Sequence, residues 1–267
     1  MKNGAAKAPQ LFTKLDEWRK VRSTLSGKTI GFVPTMGALH AGHGSLLENA
    51  RRENDIVVLS VYVNPTQFND PKDLEKYPKT LDRDVELAAK AGVDYVLSPN
   101  YAQMYPDHYR YKLTENDLST KLCGAHRPGH FDGVLTVVMK LFNLVRADHA
   151  YFGEKDFQQL ELIRGMSEAF FLQTKVVGCP TVREEDGLAM SSRNVNLDSA
   201  SRALAPTFAK ALRSEKTTDA ATERLSKEGF IVEYVEDINH RRYGAVRLGG
   251  VRLIDNVEVG GTDEQTL

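Results

Sequence analysis

The sequence has few cysteines, almost no net charge and no long apolar run, and each shortage excludes a class of protein. Its 267 residues include only two cysteines, Cys123 and Cys179. They lie far apart and neither belongs to a Cys-x-x-Cys pair, so the sequence predicts neither a zinc site nor a disulfide framework. A chain of this kind suits a reducing compartment, and we expect a cytoplasmic location.

The formal net charge is −1, which argues against nucleic acid as a partner, because such binding depends on clustered positive charge. It still permits a local basic pocket for a small anion. No segment approaches the roughly 18 apolar residues of a membrane span, so we expect no membrane partner. Residues 1–10 lack the apolar core of a signal peptide and are predicted to form a flexible tail.

Apolar, β-branched runs alternate with helical patterns over the first two-thirds of the chain. The predicted strands are residues 29–33, 55–63, 94–98 and 148–152. The predicted helices are residues 11–25, 45–52, 80–91, 134–145 and 157–171. This alternation predicts an α/β fold with a Rossmann-like, doubly wound parallel sheet. Residues 69–77 are predicted to be a surface loop, and residues 101–117 an irregular excursion with a short strand at 109–113.

The pattern changes in the last third of the chain. Helices are predicted at residues 200–213 and 219–227, and strands at 231–238 and 250–259. This is the pattern of a second, smaller α+β C-terminal domain, whose size suits a lid over a site. We therefore divide the chain into a large domain at residues 1–178 and a small one at residues 179–267.

Residues 34–44, Pro-Thr-Met-Gly-Ala-Leu-His-Ala-Gly-His-Gly, join the first of these strands to its helix. Glycines let the backbone approach a ligand, and a helix N-terminus offers unpaired N–H groups to phosphate. His40 and His43, three residues apart, are expected on one face of the first turn, where they would donate hydrogen bonds to phosphate oxygens. A lone histidine is more often structural, but strand, Pro-Thr-x-Gly turn, His-x-Gly-His and helix in this order favour a functional interpretation. The order resembles the His-Ile-Gly-His signature of the nucleotidylyltransferase and class I aminoacyl-tRNA synthetase superfamily.

Other polar residues follow predicted strands, and the carboxyl ends of parallel strands share one edge of the sheet. Gln67 follows the second strand, where its amide can meet a polar substrate. Lys155 follows the fourth and is a natural charge for a triphosphate. Asp156 beside it either caps the next helix or accepts a ribose hydroxyl. His130, before another helix, is expected to be a cap rather than a ligand.

Ser191, Ser192 and Arg193 follow a polar, turn-forming segment. Two hydroxyls and a guanidinium on a flexible loop make a clamp that can close over phosphates. The alternative is a pair of helix-capping serines with a solvated arginine.

Five motifs in order resemble those of the pantothenate synthetase, or pantoate-β-alanine ligase, family, and the resemblance covers nearly the whole chain from residue 29. The motifs are residues 34–43, 63–68, 127–131, 151–160 and 190–194. The resemblance implies a Rossmann-like domain that binds ATP and pantoate, a C-terminal lid, a homodimer and a dependence on Mg²⁺. It also implies two reaction steps. Pantoate and ATP give pantoyl adenylate and pyrophosphate, and the amine of β-alanine then displaces AMP.

The resemblance assigns residues by motif. Those expected to line the nucleotide are Met36, Gly37, Ala38, Leu39, His40, Ala41, Gly42, His43, Gly153, Glu154, Lys155, Asp156, Val182, Met190, Ser191, Ser192 and Arg193. Gln67 and Gln159 are expected to hold pantoate or β-alanine. The expected catalytic residues are His43, His40, Lys155, Ser191, Ser192 and Arg193. His43 would either stabilise charge on the phosphate or donate a proton. No metal ligand is assigned.

Two positions depart from the family pattern. Gly44 stands where a larger apolar residue is usual, which loosens the helix start by up to about 1 kcal/mol. Cys123 replaces a common glutamate. Two rival functions remain, another nucleotidylyltransferase and a catalytically silent nucleotide-binding scaffold; a tRNA ligase is disfavoured because no anticodon-binding extension is visible.

Overall fold

The computed structural model describes residues 8–260. The predicted tail therefore lies outside the described residues at positions 1–7, while Gln10 belongs to a strand. Within the described range, no helix combines the length and apolar character needed to cross a membrane.

Nine strands and eleven α-helices are present between residues 8 and 260. The strands are β1 (Gln10–Phe12), β2 (Ile30–Thr35), β3 (Ile56–Val61), β4 (Tyr95–Leu97), β5 (His149–Gly153), β6 (Lys175–Cys179), β7 (Ile231–Ile238), β8 (Arg241–Leu248) and β9 (Val251–Glu258). The helices are α1 (Leu15–Arg22), α2 (Ala41–Glu53), α3 (Pro71–Lys76), α4 (Leu81–Lys90), α5 (Tyr101–Met104), α6 (Cys123–His126), α7 (His130–Val145), α8 (Phe157–Ala169), α9 (Ser199–Leu204), α10 (Pro206–Ser214) and α11 (Thr218–Lys227).

The first six strands form one parallel sheet in the order β1-β4-β3-β2-β5-β6. From β2 onward this is the strand order of a Rossmann fold, so the predicted α/β architecture is confirmed. Helices α2 and α4 pack on one face, and α1, α7 and α8 pack on the other. Strands β2 and β5 are neighbours although they are far apart in the chain, and the helices that follow them lie on opposite faces. The divergence leaves a crevice at the carboxyl ends of these two strands.

The last three strands form a separate antiparallel sheet, β7-β8-β9. Its core is made with α10 and α11 and includes Phe208, Leu212, Leu225, Val246 and Leu253. The predicted α+β unit is thus present. The proposed boundary at residue 178 falls one residue before the end of β6.

Several local predictions were wrong at the N-terminal side. Residues 10–12 form β1 rather than the start of a helix, because they pair with β4, Leu11 opposite Val96. Residues 71–76 form α3 rather than a loop. Its start carries a recognisable signal, since Asp70 accepts the Lys72 N–H at 2.8 Å and Pro71 occupies the first turn. Residues 109–113 contain no strand.

Two further corrections concern the small domain. The helix predicted at residues 200–213 is divided into α9 and α10 at Pro206, which cannot continue a helical hydrogen-bond ladder. Strand β8 was missed because its arginines obscure the apolar alternation. One of them, Arg242, is buried and paired with Asp237 at 2.8 Å.

Candidate active site

A cleft of about 260 Å³ opens at the carboxyl ends of β2 and β5. It adjoins a larger cleft of about 640 Å³ between α3 and the small sheet. The sequence-predicted residues that line the smaller cleft are Met36, His40, Gly42, His43, Gln67, Gly153, Lys155, Asp156, Gln159, Val182, Met190, Ser191, Ser192 and Arg193. The fold thus brings together side chains from four separate motifs.

The other residues predicted to line the nucleotide lie beside this cleft rather than in its wall; they are Gly37, Ala38, Leu39, Ala41 and Glu154. The backbone N–H groups of Ala38 and Leu39 donate to buried Asp84 at 3.1 and 2.8 Å. The backbone N–H groups of these two residues, which were expected to line the nucleotide, are therefore already bonded to Asp84. The same carboxylate lies against Gly37, whose φ of +82° and lack of a Cβ allow the close approach.

Backbone N–H groups at the start of α2 orient the rings of His40 and His43. The Gly42 N–H donates to His40 Nδ1 at 3.1 Å, and the His40 N–H donates to His43 Nδ1 at 3.4 Å. Because both Nδ1 atoms accept, each neutral ring carries its proton on Nε2. Gly42 is required here, since a Cβ would lie 2.9 Å from His40 Cε1.

Both rings are shifted toward the neutral form. Burial, then the charge that His40 would carry, lowers the pKa of His43 to about 3. Burial, then the neighbouring Lys155, lowers the pKa of His40. At neutral pH the two rings therefore present neutral N–H donors, whose hydrogen bonds can stabilise charge without transferring a proton.

Lys155 lies across the crevice, on the turn between β5 and α8. Its Nζ is 3.6 Å from an Asp156 carboxylate oxygen. Asp156 makes no capping hydrogen bond to α8, so its side chain is directed elsewhere. Asn256 of the small sheet donates to the carbonyls of Glu154 and Lys155 at 2.8 and 2.9 Å. The small domain thus fixes the turn that carries Lys155.

Gln67 has a defined amide orientation. Asn64 Nδ2 donates to the Gly133 carbonyl at 3.1 Å and to Gln67 Oε1 at 3.0 Å. A carbonyl only accepts, so the Asn64 atom facing Gly133 is the nitrogen, and the Gln67 atom facing Asn64 is the oxygen. The Gln67 amide group that remains for a ligand is its NH₂ donor.

Behind Gln67 the cleft is apolar. Its lining includes Tyr62, Val134, Val138, Leu141 and Phe152. Val134, Val138 and Leu141 of α7 are buried members of the hydrophobic core, and the same side chains form this part of the cleft wall.

Arg127 and His130 also line the cleft, and sequence reasoning gave neither a role in it. Gly129, not His130, is the residue that precedes the first turn of α7, so the predicted cap was wrong. His130 Nδ1 instead lies 2.8 Å from the Gln67 carbonyl. The signal was present in the Arg127-Pro-Gly-His motif, but nothing local showed that it would meet the Gln67 turn.

The Ser191 to Arg193 loop forms the remaining wall. Arg193 pairs with Asp73 of α3 at 3.0 Å and lies 5.8 Å from the centre of the Tyr77 ring. The Ser191 hydroxyl accepts the Arg193 N–H at 3.2 Å. Neither serine caps a helix, since the next helix, α9, is capped by Asp198.

Comparison with known proteins places this geometry in a family. Residues 10–258 match the family model of pantoate-β-alanine ligase. The chain belongs to the pantoate-β-alanine ligase family. It is 59% identical over 247 residues to a pantothenate synthetase of Bdellovibrio bacteriovorus, covering 92% of this chain and 97% of that one. It is 50% identical over 248 residues to a pantothenate synthetase of Legionella pneumophila, covering 92% of this chain and 98% of that one.

Solved structures support the same family assignment. A crystal structure of the pantoate-β-alanine ligase from Francisella tularensis, complexed with β-γ ATP and β-alanine, superposes with a TM-score of 0.90 at 39% identity. The match covers 94% of this chain and 98% of that one. The pantothenate synthetase of Thermus thermophilus superposes with a TM-score of 0.87 at 41% identity, covering 93% and 99%.

The two departures from the family pattern have different surroundings. A Cβ at Gly44 would meet nothing within 4 Å, so the glycine leaves an unfilled position on α2. Cys123 is buried, with its sulfur 3.0 Å from the Tyr234 hydroxyl and 3.5 Å from an Arg252 nitrogen. It thus contacts the small sheet of the ligase fold.

The side chains at this site fit a magnesium ion only when the phosphates of a nucleotide supply further ligands. Among residues 8–260 no group of three or more His, Cys, Asp or Glu side chains is arranged to hold a metal. Asp156 is the one carboxylate among the described residues lining the smaller cleft. Mg²⁺ commonly takes one or two carboxylates together with substrate phosphates and water, and that donor set is compatible with Asp156 and a triphosphate.

Proposed function

We propose that the crevice between β2 and β5 carries out both steps of an ATP-dependent condensation of pantoate with β-alanine. A pantoate carboxylate oxygen forms a bond to the α-phosphorus, and the bond to the bridging oxygen breaks, which releases pyrophosphate. The β-alanine amine then attacks the activated carbonyl, loses a proton and displaces AMP. The products are pantothenate, AMP and pyrophosphate.

The observation that carries the first step is the pair of neutral Nε2–H donors on His40 and His43, opposite Lys155. The transition state of phosphoryl transfer places extra negative charge on the phosphate oxygens, and preorganised donors stabilise that charge. The lowered pKa of His43 supports hydrogen-bond donation rather than proton donation. Ser191, Ser192 and Arg193 are proposed to close over the phosphates from the opposite wall.

Gln67 and Gln159 are proposed to hold pantoate. The NH₂ group of Gln67 donates to a substrate oxygen, and the apolar wall behind it suits the two methyl groups on the pantoate carbon chain. Because this pocket and the nucleotide site meet at the same crevice, the carboxylate and the α-phosphate are held together. Such positioning replaces a bimolecular encounter.

We further propose that Mg²⁺ accompanies ATP and is held by Asp156 and the phosphates, where it would neutralise charge on the triphosphate. A cytoplasmic location is proposed because ATP is supplied there and both cysteines are free and buried. A homodimer is proposed from the family resemblance, and sedimentation would test it.

The function is tested by two assays. ATP, pantoate and β-alanine together should yield AMP and not ADP. With pantoate but without β-alanine, the protein should exchange labelled pyrophosphate into ATP, because reversal of the first step needs no amine. Exchange that requires β-alanine would replace the two-step mechanism with a concerted one.

A further inference from the structure

The guanidinium of Arg127 lies in the site, and no carboxylate of the described residues pairs with it. It lines both the smaller cleft and the larger one. Within residues 8–260, no ion pair is formed by its side chain. The carboxylate that most favours its charge is Asp73, and Asp73 is already paired with Arg193 at 3.0 Å.

Neutral groups hold this guanidinium in place. One of its terminal nitrogens donates to the Gln67 carbonyl at 3.1 Å, and the other donates to His130 Nε2 at 3.1 Å. His130 Nδ1 lies 2.8 Å from the same carbonyl and must donate to it, which leaves Nε2 as the acceptor. The orientation of Arg127 is therefore set without neutralising its charge.

Other arginines near Arg127 add to the positive charge at this position. Arg252 approaches Arg127 but is paired with Glu233 at 2.8 Å. Burial, then the charge of Arg252, lowers the pKa of Arg127 to about 10, so the group stays positive at neutral pH. A cation that is partly removed from water, fixed in direction and unpaired is stabilised by an anionic ligand.

We propose that Arg127 binds the carboxylate of β-alanine and so holds the amino acid for the second step. This inference rests on the proposed function and names the partner of one side chain within it. The phosphates have His40, His43, Lys155 and Arg193, and the acyl group has the Gln67 amide. In the second step the pantoate carboxylate is already bonded to the adenylate, so the carboxylate of β-alanine is the remaining anion, and a guanidinium binds a carboxylate through two parallel hydrogen bonds.

The position of Arg127 supports this assignment. Its guanidinium donates to the backbone carbonyl of Gln67 at 3.1 Å, and the Gln67 side chain lines the proposed acyl pocket. It also faces the larger cleft, which offers an entry path after pyrophosphate has formed. In β-alanine two methylene groups separate the amine from the carboxylate carbon, so the nitrogen and that carbon are at most about 4 Å apart. With the carboxylate on Arg127, the amine is directed back toward the acyl pocket.

The test compares two amines in the second step, with saturating ATP and pantoate. One is β-alanine and the other is 3-aminopropanamide, which keeps the amine and the chain length but has no charge. The parent should prefer β-alanine, and Arg127→Met should reduce kcat/KM for β-alanine by about 10- to 100-fold, the range expected for a lost hydrogen-bonded charge partner. The preference for β-alanine over the amide should shrink by a similar factor.

Two controls separate binding from misfolding or a general disturbance. Arg247→Gln removes a guanidinium that also faces the larger cleft but is half exposed and paired with Glu233 at 2.9 Å, and it should leave the preference unchanged. Arg127→Lys keeps the charge without the two-pronged geometry and should give an intermediate preference. Because the preference is a ratio within one variant, a displaced Gln67 affects both amines alike.

Two results would refute the role proposed for Arg127, and a third would refute the proposed function on which it rests. An unchanged preference in Arg127→Met would show that the carboxylate binds elsewhere. A fall in pantoate-dependent pyrophosphate exchange equal to the fall in overall rate would assign Arg127 to the pantoate carboxylate and the first step. Absence of that exchange in the parent enzyme would instead refute the proposed function itself.

Discussion

The turn that carries His40 and His43 and the loop that carries Arg193 face the same cleft but are held in different ways. The turn is fixed by buried groups: Asp84 accepts two of its N–H groups, and the two imidazoles bond to backbone N–H groups. The ends of the loop are hydrogen-bonded to neighbouring backbone, but its contact with α3 is a partly exposed ion pair between Arg193 and Asp73. Buried hydrogen bonds are costly to break, whereas exposed ion pairs contribute little.

These two kinds of contact make one site both preorganised and accessible. The turn, which would face the reacting phosphate, keeps its donors in place without a ligand. The loop, which would enclose the phosphates, is joined to α3 by a contact that a ligand can replace. Arg193 can exchange Asp73 for a phosphate at small cost, because one anion substitutes for another.

The largest effect is expected on the turn. His43→Ala should depress pantoate-dependent pyrophosphate exchange by at least about 10²-fold, the scale for loss of one preorganised donor. Its melting temperature should stay near that of the parent, because His43 lines a cleft and does not fill the core. Chemically made pantoyl adenylate should restore pantothenate formation to near the parental rate. A variant slow with that intermediate too would assign His43 to the second step.

Asp84→Asn tests whether the turn is fixed as described. An amide NH₂ would face the N–H groups of Ala38 or Leu39, which leaves buried donors without an acceptor at about 1–3 kcal/mol each. We expect a melting temperature lower by several degrees and weaker pyrophosphate exchange. Asp82→Asn, on the exposed face of the same helix, is the control. Equal stability of the two variants would refute the role of Asp84.

Acid should destabilise the protein through the turn. The pKa of His43 is lowered to about 3 when folded and is about 6.5 when unfolded. Between these values the unfolded chain binds the proton and the folded chain does not, so this contribution to stability is full above pH 6.5 and is lost as the pH falls toward 3. Urea unfolding at several pH values should show a shallower acid loss in His43→Gln. An identical pH slope would show that His43 does not contribute.

The rate at which a protease cuts the loop should depend on bound nucleotide and on the ion pair between Arg193 and Asp73. Proteolysis within residues 190–194 should slow when ATP and Mg²⁺ are added. Asp73→Asn should speed cleavage in the absence of nucleotide, with a stability change below about 1 kcal/mol, as for exposed ion pairs. With ATP bound, variant and parent should be cut at similar rates. A cleavage rate that is the same with and without nucleotide, and the same in Asp73→Asn, would show that the loop is rigid.

The smallest effect is expected where the chain departs from its family. Gly44→Ala should raise the free energy of unfolding by about 0.5–1 kcal/mol, since alanine is the better helix former and a Cβ there meets nothing within 4 Å. Gly42→Ala, two residues away, should instead lower activity by displacing the His40 ring. Urea unfolding and the exchange assay check the pair. Loss of stability in Gly44→Ala would show that the position is not open.

The alternation of strands and helices, the order of the motifs and the identity of most residues that line the cleft could be predicted from the amino-acid sequence alone. These depend on local composition: β-branched runs form buried strands, and polar residues after parallel strands must meet at one edge. The family resemblance followed from the same motifs. Local patterns also misled, as at β1, where three residues join the sheet because β4 offers an unpaired edge.

The atoms that face the ligand could be identified only from the folded chain. The proton positions on His40 and His43, the use of the Ala38 and Leu39 amides by Asp84, and the amide orientation of Gln67 all depend on partners distant in the chain or on the geometry of a turn. Arg127 shows the limit most clearly. Its charge is visible in the sequence, but its lack of a carboxylate partner within residues 8–260 depends on how Asp73, Glu233, Arg193 and Arg252 are arranged around it, which is a property of the folded chain alone.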